Sequence, residues 1–391
     1  MRGKKYFTTT RKRCTDFERS CKLQCWPLWE ELQTLMMAGK ETKVIDADVH
    51  NALKSARDLL PYLPEAWAAH VARSGIGLPT MGYYNPLSEA QDAHKPPSGG
   101  PAASDPDFVI ADLIERHGLD YAILNSNLAG VSAIHDPDQG AAVASAYNDY
   151  VAELWLSRHD AFRASILVSA NDPLLAAKEI ERMAGHPKMV GVVIGSGQRA
   201  PLGQRQFHPI YEAAERHGLP IGIQTGSEGM GGTRSPTPSG YPARYLDWLT
   251  GLSQTSMAHM NSLVCEGVFE KFPRLNIVLH GAGFTWVPHL MWRLDKNFKG
   301  LRSQAPWLKR MPSEYIRDHF RFTTLPLEEP EHPEQLLAIF DMIGAENMLL
   351  FSSNYPYSSA EQERQQSFLR QLRPEVRQKI VYDNAKALYN L

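Results

Sequence analysis

Residues 208–226 read HPIYEAAERHGLPIGIQTG, and this stretch contains one repeat of the unit that decides the fold. Apolar residues recur at helical spacing over 209–217, and His217-Gly218 has the form of a helix C-terminus, where glycine tolerates a left-handed backbone. The apolar run at 220–224 is short enough to form a buried strand. The stretch therefore predicts a helix, a tight turn and a strand.

The same alternation continues in both directions along the chain. Eight strand candidates occur, at Val44–Val49, Tyr121–Leu124, Ala164–Val168, Met189–Ile194, Pro220–Gln224, Asn276–Leu279, Phe320–Thr323 and Asn347–Phe351. Helix candidates lie between them, at Asp107–His117, Gln139–Arg158, Pro173–Ala184, Pro209–His217, Leu246–Lys271, Trp286–Gly300, Pro333–Ile343 and, as a C-terminal pair, after Ser359. This order predicts a parallel sheet covered by helices. Eight units without a glycine-rich phosphate loop after strand 1 favour an α/β fold of the (β/α)8 TIM-barrel type over an open sheet.

The residues at the helix ends support these boundaries. Three dipeptides end in a glycine that stops a helix, namely His117-Gly118, His217-Gly218 and Ile343-Gly344. Two others place a capping residue before a proline at the first helical position, namely Asp172-Pro173 and His208-Pro209. We therefore predict helix starts at both of these sites.

Two segments are longer than ordinary connections and are rich in Gly and Pro. They span residues 74–105, after strand 1, and residues 226–244, after strand 5. Active sites of such barrels lie at the C-terminal ends of the strands. We predict that both long βα segments cover the substrate, and insertions without a function are the alternative.

Residues 1–40 differ in character from the rest of the chain. Basic residues precede any acidic one, but no apolar segment of a secretory signal follows. Cys14, Cys21 and Cys25 cluster there with a spacing that fits no common zinc finger. We interpret 1–40 as a non-catalytic N-terminal extension with a helix at Trp26–Met36, and 41–391 as the barrel domain.

The composition excludes several classes of function. The chain has 41 Lys and Arg against 43 Asp and Glu, a formal net charge of −2, which argues against nucleic-acid and membrane-surface partners. No apolar run approaches the roughly 18 residues needed to span a bilayer. The 4 cysteines do not form a disulfide framework and indicate a reducing compartment, so we predict a cytoplasmic protein. Its expected partner is a small-molecule substrate.

Polar side chains stand at the C-terminal ends of four strand candidates. Asp46, Asp48 and His50 alternate along strand 1 and therefore point to one side. The other strand ends are Gln224-Thr225 on strand 5, His280-Gly281 on strand 6, and Ser352 to Pro356 after strand 8. Asp48 and His50 form a pair suited to bind a divalent metal or to relay a proton, whereas we expect Asp46 to hydrogen-bond to nearby backbone. Each residue alone could be a satisfied structural group, but their common position predicts an active site.

Several motifs, in their order along residues 43–391, resemble the amidohydrolase-related family, which includes aminocarboxymuconate-semialdehyde decarboxylase and γ-resorcylate decarboxylase. The motifs are VIDADVH (44–50), YLPEAW (62–67), AYNDYVAEL (146–154), the stretch at 208–226, FEKFPRLNIVLHGAGFTWVPHLMWRLDK (269–296), FRFTTLPLEEP (320–330), MLLFSSNYPY (348–357) and IVYDNAKALYNL (380–391). As a set they are highly specific.

The resemblance implies one divalent ion, zinc or manganese, held by two strand-1 ligands, a strand-5 histidine and a strand-8 aspartate. A strand-6 histidine would act on water or substrate. Asp48 and His50 match the strand-1 pair, and His280 matches the strand-6 position. The chain departs from the pattern at three positions: Gln224 replaces the strand-5 histidine, Asn354 replaces the strand-8 aspartate, and Tyr357 stands where many relatives have histidine.

These departures predict an altered site that holds either no metal or a weakly bound one. A carboxamide brings no negative charge to an ion, and Asn354 cannot take a proton from water because it has no basic form near neutrality. We expect His280 to be the general acid/base, with Asp48 and His50 orienting substrate or water.

Gln224, Asn354 and Tyr357 would then donate hydrogen bonds to the substrate, and Trp286 would line the pocket. Hydrolysis of a small carbonyl- or carboxylate-bearing molecule is the first expectation. The second expectation is a metal-dependent enzyme, either a hydrolase or a non-oxidative decarboxylase, with a divalent ion at Asp48 and His50. The third is a catalytically inactive binding or scaffolding barrel.

The segment LMWRLDKNF (290–298) carries Arg293 and Asp295 on a predicted helix surface. The family resemblance suggests that this helix packs against a second subunit, which predicts a homodimer.

Overall fold

The structure is a computed structural model that describes residues 43–83, 85, 92–357 and 360–391. The predictions for residues 1–40, including the helix at 26–36, the three clustered cysteines and the domain boundary, lie outside the described residues.

Eight parallel strands form the centre of the described chain, in sequence order around one sheet. They are β1 (Ile45–Val49), β2 (Tyr121–Leu124), β3 (Phe162–Leu167), β4 (Met189–Gly195), β5 (Ile221–Gln224), β6 (Ile277–His280), β7 (Phe320–Thr323) and β8 (Leu349–Leu350). The chain after β8 returns to β1, where the Ala47 N–H donates to the Phe351 carbonyl at 2.9 Å. This contact brings the first and last strands together, so the predicted TIM barrel is confirmed.

The strands are buried because helices cover the outer face of the sheet and side chains fill its interior. In β4 all seven residues are buried, and the strand reads MVGVVIG without a charged residue. This pattern explains why apolar runs, rather than strict alternation, indicated the strands in the sequence.

Helices follow the strands in the expected order. They are α1 (Glu65–Ser74), α2 (Pro106–Val109), α3 (Pro137–Tyr150), α4 (Pro173–Met183), α5 (His208–Arg216), α6 (Tyr245–Cys265), α7 (Val268–Lys271), α8 (Val287–Leu301), α9 (Pro312–His319), α10 (Pro333–Ile343), α11 (Ala360–Gln371), α12 (Pro374–Gln378) and α13 (Asn384–Tyr389). Wider π-helical turns extend α2 over Ile110–Glu115 and α3 over Val151–Trp155. The sequence interpretation missed α1 and α9, which are 10 and 8 residues long.

Most of the predicted helix ends are confirmed. Gly118, Gly218 and Gly344 all have positive φ, at 61°, 66° and 72°. Asp172 caps α4, because its carboxylate accepts hydrogen bonds from the next helical N–H groups at 2.9 and 3.0 Å. The helix start predicted at His208-Pro209 is confirmed, but His208 is the first residue of α5 and not its capping residue.

The prediction of one continuous helix from Leu246 to Lys271 is also wrong, because the structure has two helices there. Gly267 has a left-handed backbone with φ of 71°, which ends α6 and starts the short α7. None of the helices in the described ranges is long and apolar enough to cross a membrane.

The two long segments pack against each other. A Cβ at Gly231 would lie 2.5 Å from Pro79 Cγ, so the backbone of Gly231 lies close to the Pro79 ring. The Tyr83 hydroxyl donates to the Pro242 carbonyl at 2.5 Å, and its ring lies 6.0 Å from that of Trp248. The described parts of both segments are therefore in contact, and their role in covering the substrate stays a prediction.

We expect Gly197→Ala to destabilise the fold by about 1–3 kcal/mol, because a Cβ at this position would lie 2.2 Å from the Ser227 carbonyl oxygen. Gly197 follows β4 and supports the 226–244 segment. Gly185→Ala is the matched control, since its Cβ would meet nothing within 4 Å. Urea denaturation of both variants tests the prediction, and equal midpoints would contradict it.

Candidate active site

Strand β1 brings its three polar residues into the barrel with almost no exposure to solvent. Asp46, Asp48 and His50 are 0%, 0% and 4% exposed. Asp46 Oδ1 accepts hydrogen bonds from the Asp48 N–H at 3.1 Å and the Ser353 N–H at 3.0 Å, so the predicted backbone role of Asp46 is confirmed. Burial raises the pKa of Asp46 to about 6.

Asp48 lies between two histidines. Its Oδ1 is 3.4 Å from His280 Nδ1 and 3.6 Å from His50 Nε2. Burial alone would raise the pKa of Asp48, but the charges of His50 and His280 lower it well below its usual range. Burial conversely lowers the pKa of His50, and the Asp48 carboxylate more than compensates, so that pKa is raised. Asp48 is therefore an anion, and His50 readily carries a proton.

Asn125 holds the Asp48 carboxylate, and the sequence interpretation missed it. Its Nδ2 donates to Asp48 Oδ1 and to the Ala47 carbonyl, both at 3.0 Å. The Ser165 hydroxyl in turn donates to Asn125 Oδ1 at 2.7 Å. The available signal was its position directly after strand 2, where side chains face the site. Asn125 leaves Asp48 Oδ2, a buried atom without a hydrogen-bond partner, for another group.

His280 and Gln224 are paired neighbours at the ends of β6 and β5. Both ring nitrogens of His280, and Gln224 Oε1, are buried without a hydrogen-bond partner. His280 therefore lies within ion-pair distance of Asp48, but the two groups do not have hydrogen-bond geometry. Gly222 makes room for the ring, because a Cβ there would lie 2.7 Å from His280 Nε2. Buried polar atoms without partners normally bind water, an ion or a ligand, so the site has unused binding capacity.

Asn354 follows β8 with a left-handed backbone, φ 53°, which asparagine tolerates better than most residues. Its Oδ1 accepts a hydrogen bond from His50 Nε2 at 2.9 Å. The Tyr357 ring meets the His50 ring edge-on, with 5.2 Å between centroids, and is 39% exposed. The structure therefore brings Asp48, His50 and His280 together with the three positions that depart from the family pattern.

Trp286 has a packing role in this structure. It is 8% exposed, its indole N–H donates to the Ala282 carbonyl at 2.9 Å, and its ring lies against Phe322. A contact with substrate stays a prediction.

The predicted interface helix, α8, presents Arg293 to solvent. Asp295 instead accepts hydrogen bonds from the Ser313 N–H and hydroxyl at 2.9 and 2.7 Å, which caps α9. Asp295 is therefore half-buried and bound within the chain, and the homodimer stays a prediction.

A second buried cluster supports the segment after β5. Glu228 is 1% exposed and accepts hydrogen bonds from the Ser196 hydroxyl and from the Gly226 N–H. Burial raises the pKa of Glu228 and lowers that of His259 to about 4. His259 Nε2 donates to the Ser196 carbonyl at 2.7 Å, so this histidine is neutral and structural.

The side chains fit an ion only loosely. Within the described ranges no three His, Cys, Asp or Glu side chains are arranged to hold one by themselves. Asp48 and His50 would need the carboxamide oxygens of Asn354 and Gln224 as further ligands. Such oxygens suit a hard ion such as manganese, but Asp48 would be its one negatively charged ligand. An ion bound to His50 Nε2 would also displace the proton that His50 donates to Asn354 in their hydrogen bond. The donor set thus fits a weakly held divalent ion.

A comparison with known families identifies the chain. A family model described as amidohydrolase matches residues 45–391, which include every site residue named above. The chain belongs to the amidohydrolase family. This assignment confirms the resemblance of the motifs from VIDADVH to IVYDNAKALYNL.

Relatives of this amidohydrolase chain are decarboxylases. A γ-resorcylate decarboxylase from Polaromonas sp. (strain JS666 / ATCC BAA-500) is 27% identical over 294 residues, covering 71% of this chain and 86% of the relative. A dihydroxybenzoic acid decarboxylase from Polaromonas sp. JS666, with bound manganese and 2-nitroresorcinol, has a TM-score of 0.62 at 22% identity, covering 90% of this chain and 97% of its own.

A third similar protein is 5-carboxyvanillate decarboxylase from Novosphingobium aromaticivorans DSM 12444, in complex with manganese and 4-hydroxy-3-methoxy-5-nitrobenzoic acid. Its TM-score is 0.65 at 20% identity, and the match covers 91% of this chain and 97% of that one. These two solved structures are manganese-bound decarboxylases with the same fold as this chain. Together with the decarboxylase relatives, they agree better with the decarboxylase form of our second expectation than with metal-free hydrolysis.

Proposed function

We propose that this amidohydrolase-family chain is a non-oxidative decarboxylase of a small aromatic or similarly delocalised carboxylic acid. One observation carries the proposal. The His280 ring is completely buried at the end of β6, beside the Asp48 carboxylate, and both of its nitrogens lack a hydrogen-bond partner. A histidine in this position can hold a proton and deliver it to a bound molecule.

Decarboxylation is favoured over hydrolysis because neither Asp48 nor Asn354 offers a suitable base for water, whereas a protonated histidine can serve as the acid. Asn354 occupies the strand-8 position and has no basic form. Asp48 is a weak base, since His50 and His280 lower its pKa. Decarboxylation needs an acid to protonate the carbon and positive charge near the atoms on which negative charge develops as carbon dioxide leaves, and the two histidines can meet both needs.

The reaction can be written with the residues of this chain. The bond between the substrate carbon and its carboxylate breaks, carbon dioxide leaves, and the electron pair remains on the carbon. His280 donates a proton to that carbon and later regains one from solvent. Asp48, held by Asn125, stabilises the protonated form of His280 and orients both histidines. Without a bound ion, protonated His50 would hold an oxygen of the acid through a charge-assisted hydrogen bond, and a bound ion would supply that positive charge instead.

The proposed cofactor is a weakly held divalent ion, for which manganese is the first choice because the similar decarboxylases bind it. Asp48, His50, Gln224 and Asn354 would hold it. When bound, such an ion supplies positive charge for the oxygen atoms of an acidic substrate. Tyr357, at the exposed edge of His50, would line the entrance.

The proposal predicts that the purified full-length chain, supplied with manganese, releases carbon dioxide from at least one aromatic acid. The first acids to test are 2,6-dihydroxybenzoate and 5-carboxyvanillate, with labelled carboxyl carbon and detection by mass spectrometry. In heavy water each released carbon dioxide should leave one deuterium on the product carbon, because a proton replaces the carboxylate. An ester such as p-nitrophenyl acetate is the hydrolysis control. Ester cleavage without carbon dioxide release from any acid would favour a hydrolase, and no turnover of either would favour an inactive barrel.

A further inference from the structure

A buried carboxylate outside the proposed catalytic group connects three parts of the chain. Asp112 lies in the π-helical turn that extends α2 and is 5% exposed. Its Oδ2 accepts from the Tyr355 hydroxyl at 3.0 Å and lies 2.7 Å from His94 Nδ1. Its Oδ1 accepts from Arg116 Nη1 at 2.5 Å. The His94 ring also meets the Tyr355 ring, with 4.6 Å between centroids.

The position of Tyr355 gives this cluster its importance. Tyr355 follows Asn354 directly, and its carbonyl accepts the His50 N–H at 2.8 Å. Its own N–H donates to the Ser353 hydroxyl at 3.1 Å, and the Tyr357 N–H returns to the Asn354 carbonyl at 2.8 Å. Tyr355 therefore holds both the backbone of His50 and the segment 353–357, and its own side chain is hydrogen-bonded to Asp112.

The chemistry of the cluster indicates more than packing. Apolar side chains could join these elements without the cost of burying a carboxylate. Charge-assisted hydrogen bonds are directional, and they fix the Tyr355 ring in one place. His94 belongs to the first long segment, so the same carboxylate oxygen is shared by that segment and by the extension of β8.

We propose that Asp112 is a positioning residue for the active site. Through Tyr355 it fixes the segment that places the Asn354 carboxamide against His50, and through His94 it ties the first long segment to the same point. Its effect on turnover rests on the proposed decarboxylase function, whereas its effect on the backbone of His50 does not.

Hydrogen exchange of the full-length chain tests the positioning directly. In Tyr355→Phe and Asp112→Asn, the amides of His50 and Tyr357 should exchange about tenfold faster, because loss of a hydrogen bond to a charged group is expected to cost about that factor or more. Tyr315→Phe, on the outer helix α9, is the control: it removes a part-buried tyrosine–carboxylate contact to Glu270, and with it the hydrogen bonds that the Tyr315 hydroxyl accepts from the Lys309 and Arg310 N–H groups. Unchanged rates, or an equal increase in Tyr315→Phe, would overturn the proposal. If Asp112→Asn does not fold, Tyr355→Phe alone decides.

The link to the first long segment has its own variant. His94→Gln should speed exchange in residues 92–98 and leave the His50 amide unchanged, because Tyr355 keeps its bond to Asp112. Equal exchange of residues 92–98 in the variant and the unsubstituted chain would refute the link.

Kinetics distinguish positioning from a general loss of stability. With any acid that the unsubstituted chain decarboxylates, Tyr355→Phe should lower kcat about tenfold and leave KM within twofold, because the reacting groups are displaced while the pocket remains. An unchanged kcat would overturn the positioning role. If no acid releases carbon dioxide with the unsubstituted chain, the proposed function has failed, and the exchange rates still decide the role of Asp112.

Discussion

His280→Gln should lower kcat for decarboxylation by about 10²–10⁴-fold, the usual contribution of a positioned acid or base. Glutamine retains polarity and approximate size but has no acidic form near neutrality, so it cannot protonate the substrate carbon. Because His280 is 0% exposed and its nitrogens have no hydrogen-bond partner, the substitution breaks no hydrogen bond of the folded chain. Steady-state kinetics with the best acid from the assay give the measurement.

His319 offers a matched control for this substitution. His319 is the last residue of the outer helix α9 and is 8% exposed. Its Nδ1 donates to the Leu275 carbonyl at 2.9 Å. His319→Gln should therefore change stability and leave kcat within about twofold, since lost structural hydrogen bonds typically cost about 1 kcal/mol of folding free energy. If His280→Gln keeps most of its turnover, His280 is not the proton donor and the proposed mechanism is wrong.

Asn354→Asp should tighten manganese binding by about 10–100-fold. The substitution adds a negative charge next to His50, and Coulomb attraction between charges a few ångströms apart is about several kcal/mol even at an effective dielectric of 20, part of which is lost to desolvation. Aspartate tolerates the left-handed backbone, φ 53°, at this position. Titration calorimetry of the full chain with manganese chloride measures the change. Adding Gln224→His should strengthen binding further by supplying a nitrogen ligand.

Asn390→Asp is the control for backbone and charge effects. Asn390 also has a left-handed backbone, φ 55°, but it lies at the C-terminus, outside the candidate site. Its substitution should leave manganese affinity unchanged. If the unsubstituted chain keeps stoichiometric manganese after dialysis against a chelator, or if Asn354→Asp binds no tighter, the carboxamides do not weaken the site.

The alternatives have different consequences for the two carboxamides. In a chain that has lost catalysis, Gln224 and Asn354 would be residues tolerated after function disappeared. The hydrogen bond from His50 to Asn354, and the unpartnered Oε1 of Gln224 beside His280, suggest instead that the amides take part in the site. The His280→Gln result separates these two interpretations, because an inactive barrel has no turnover to lose.

The sequence by itself determined the barrel and the residues at its mouth. Helical periodicity, apolar runs and glycine stops such as Gly218 are local properties of the chain, and eight repeats of them leave few topologies. Asp48, His50 and His280 were identifiable because parallel strands place their C-terminal ends on one face. The cap at His208 failed because local pattern does not fix where a helix starts to within a residue.

Only the tertiary structure decided how the side chains are paired. Asn125, directly after β2, reaches Asp48 across 77 residues of the chain. His50 meets Asn354 across 304 residues, and Asp112 meets Tyr355 across 243. Such pairs depend on the register of neighbouring strands and on closure of β8 against β1, which no local pattern encodes. The residue types at the C-terminal ends of the strands therefore indicated which chemistry is available there. The hydrogen bonds that orient those side chains arise only when distant segments of the chain are brought together.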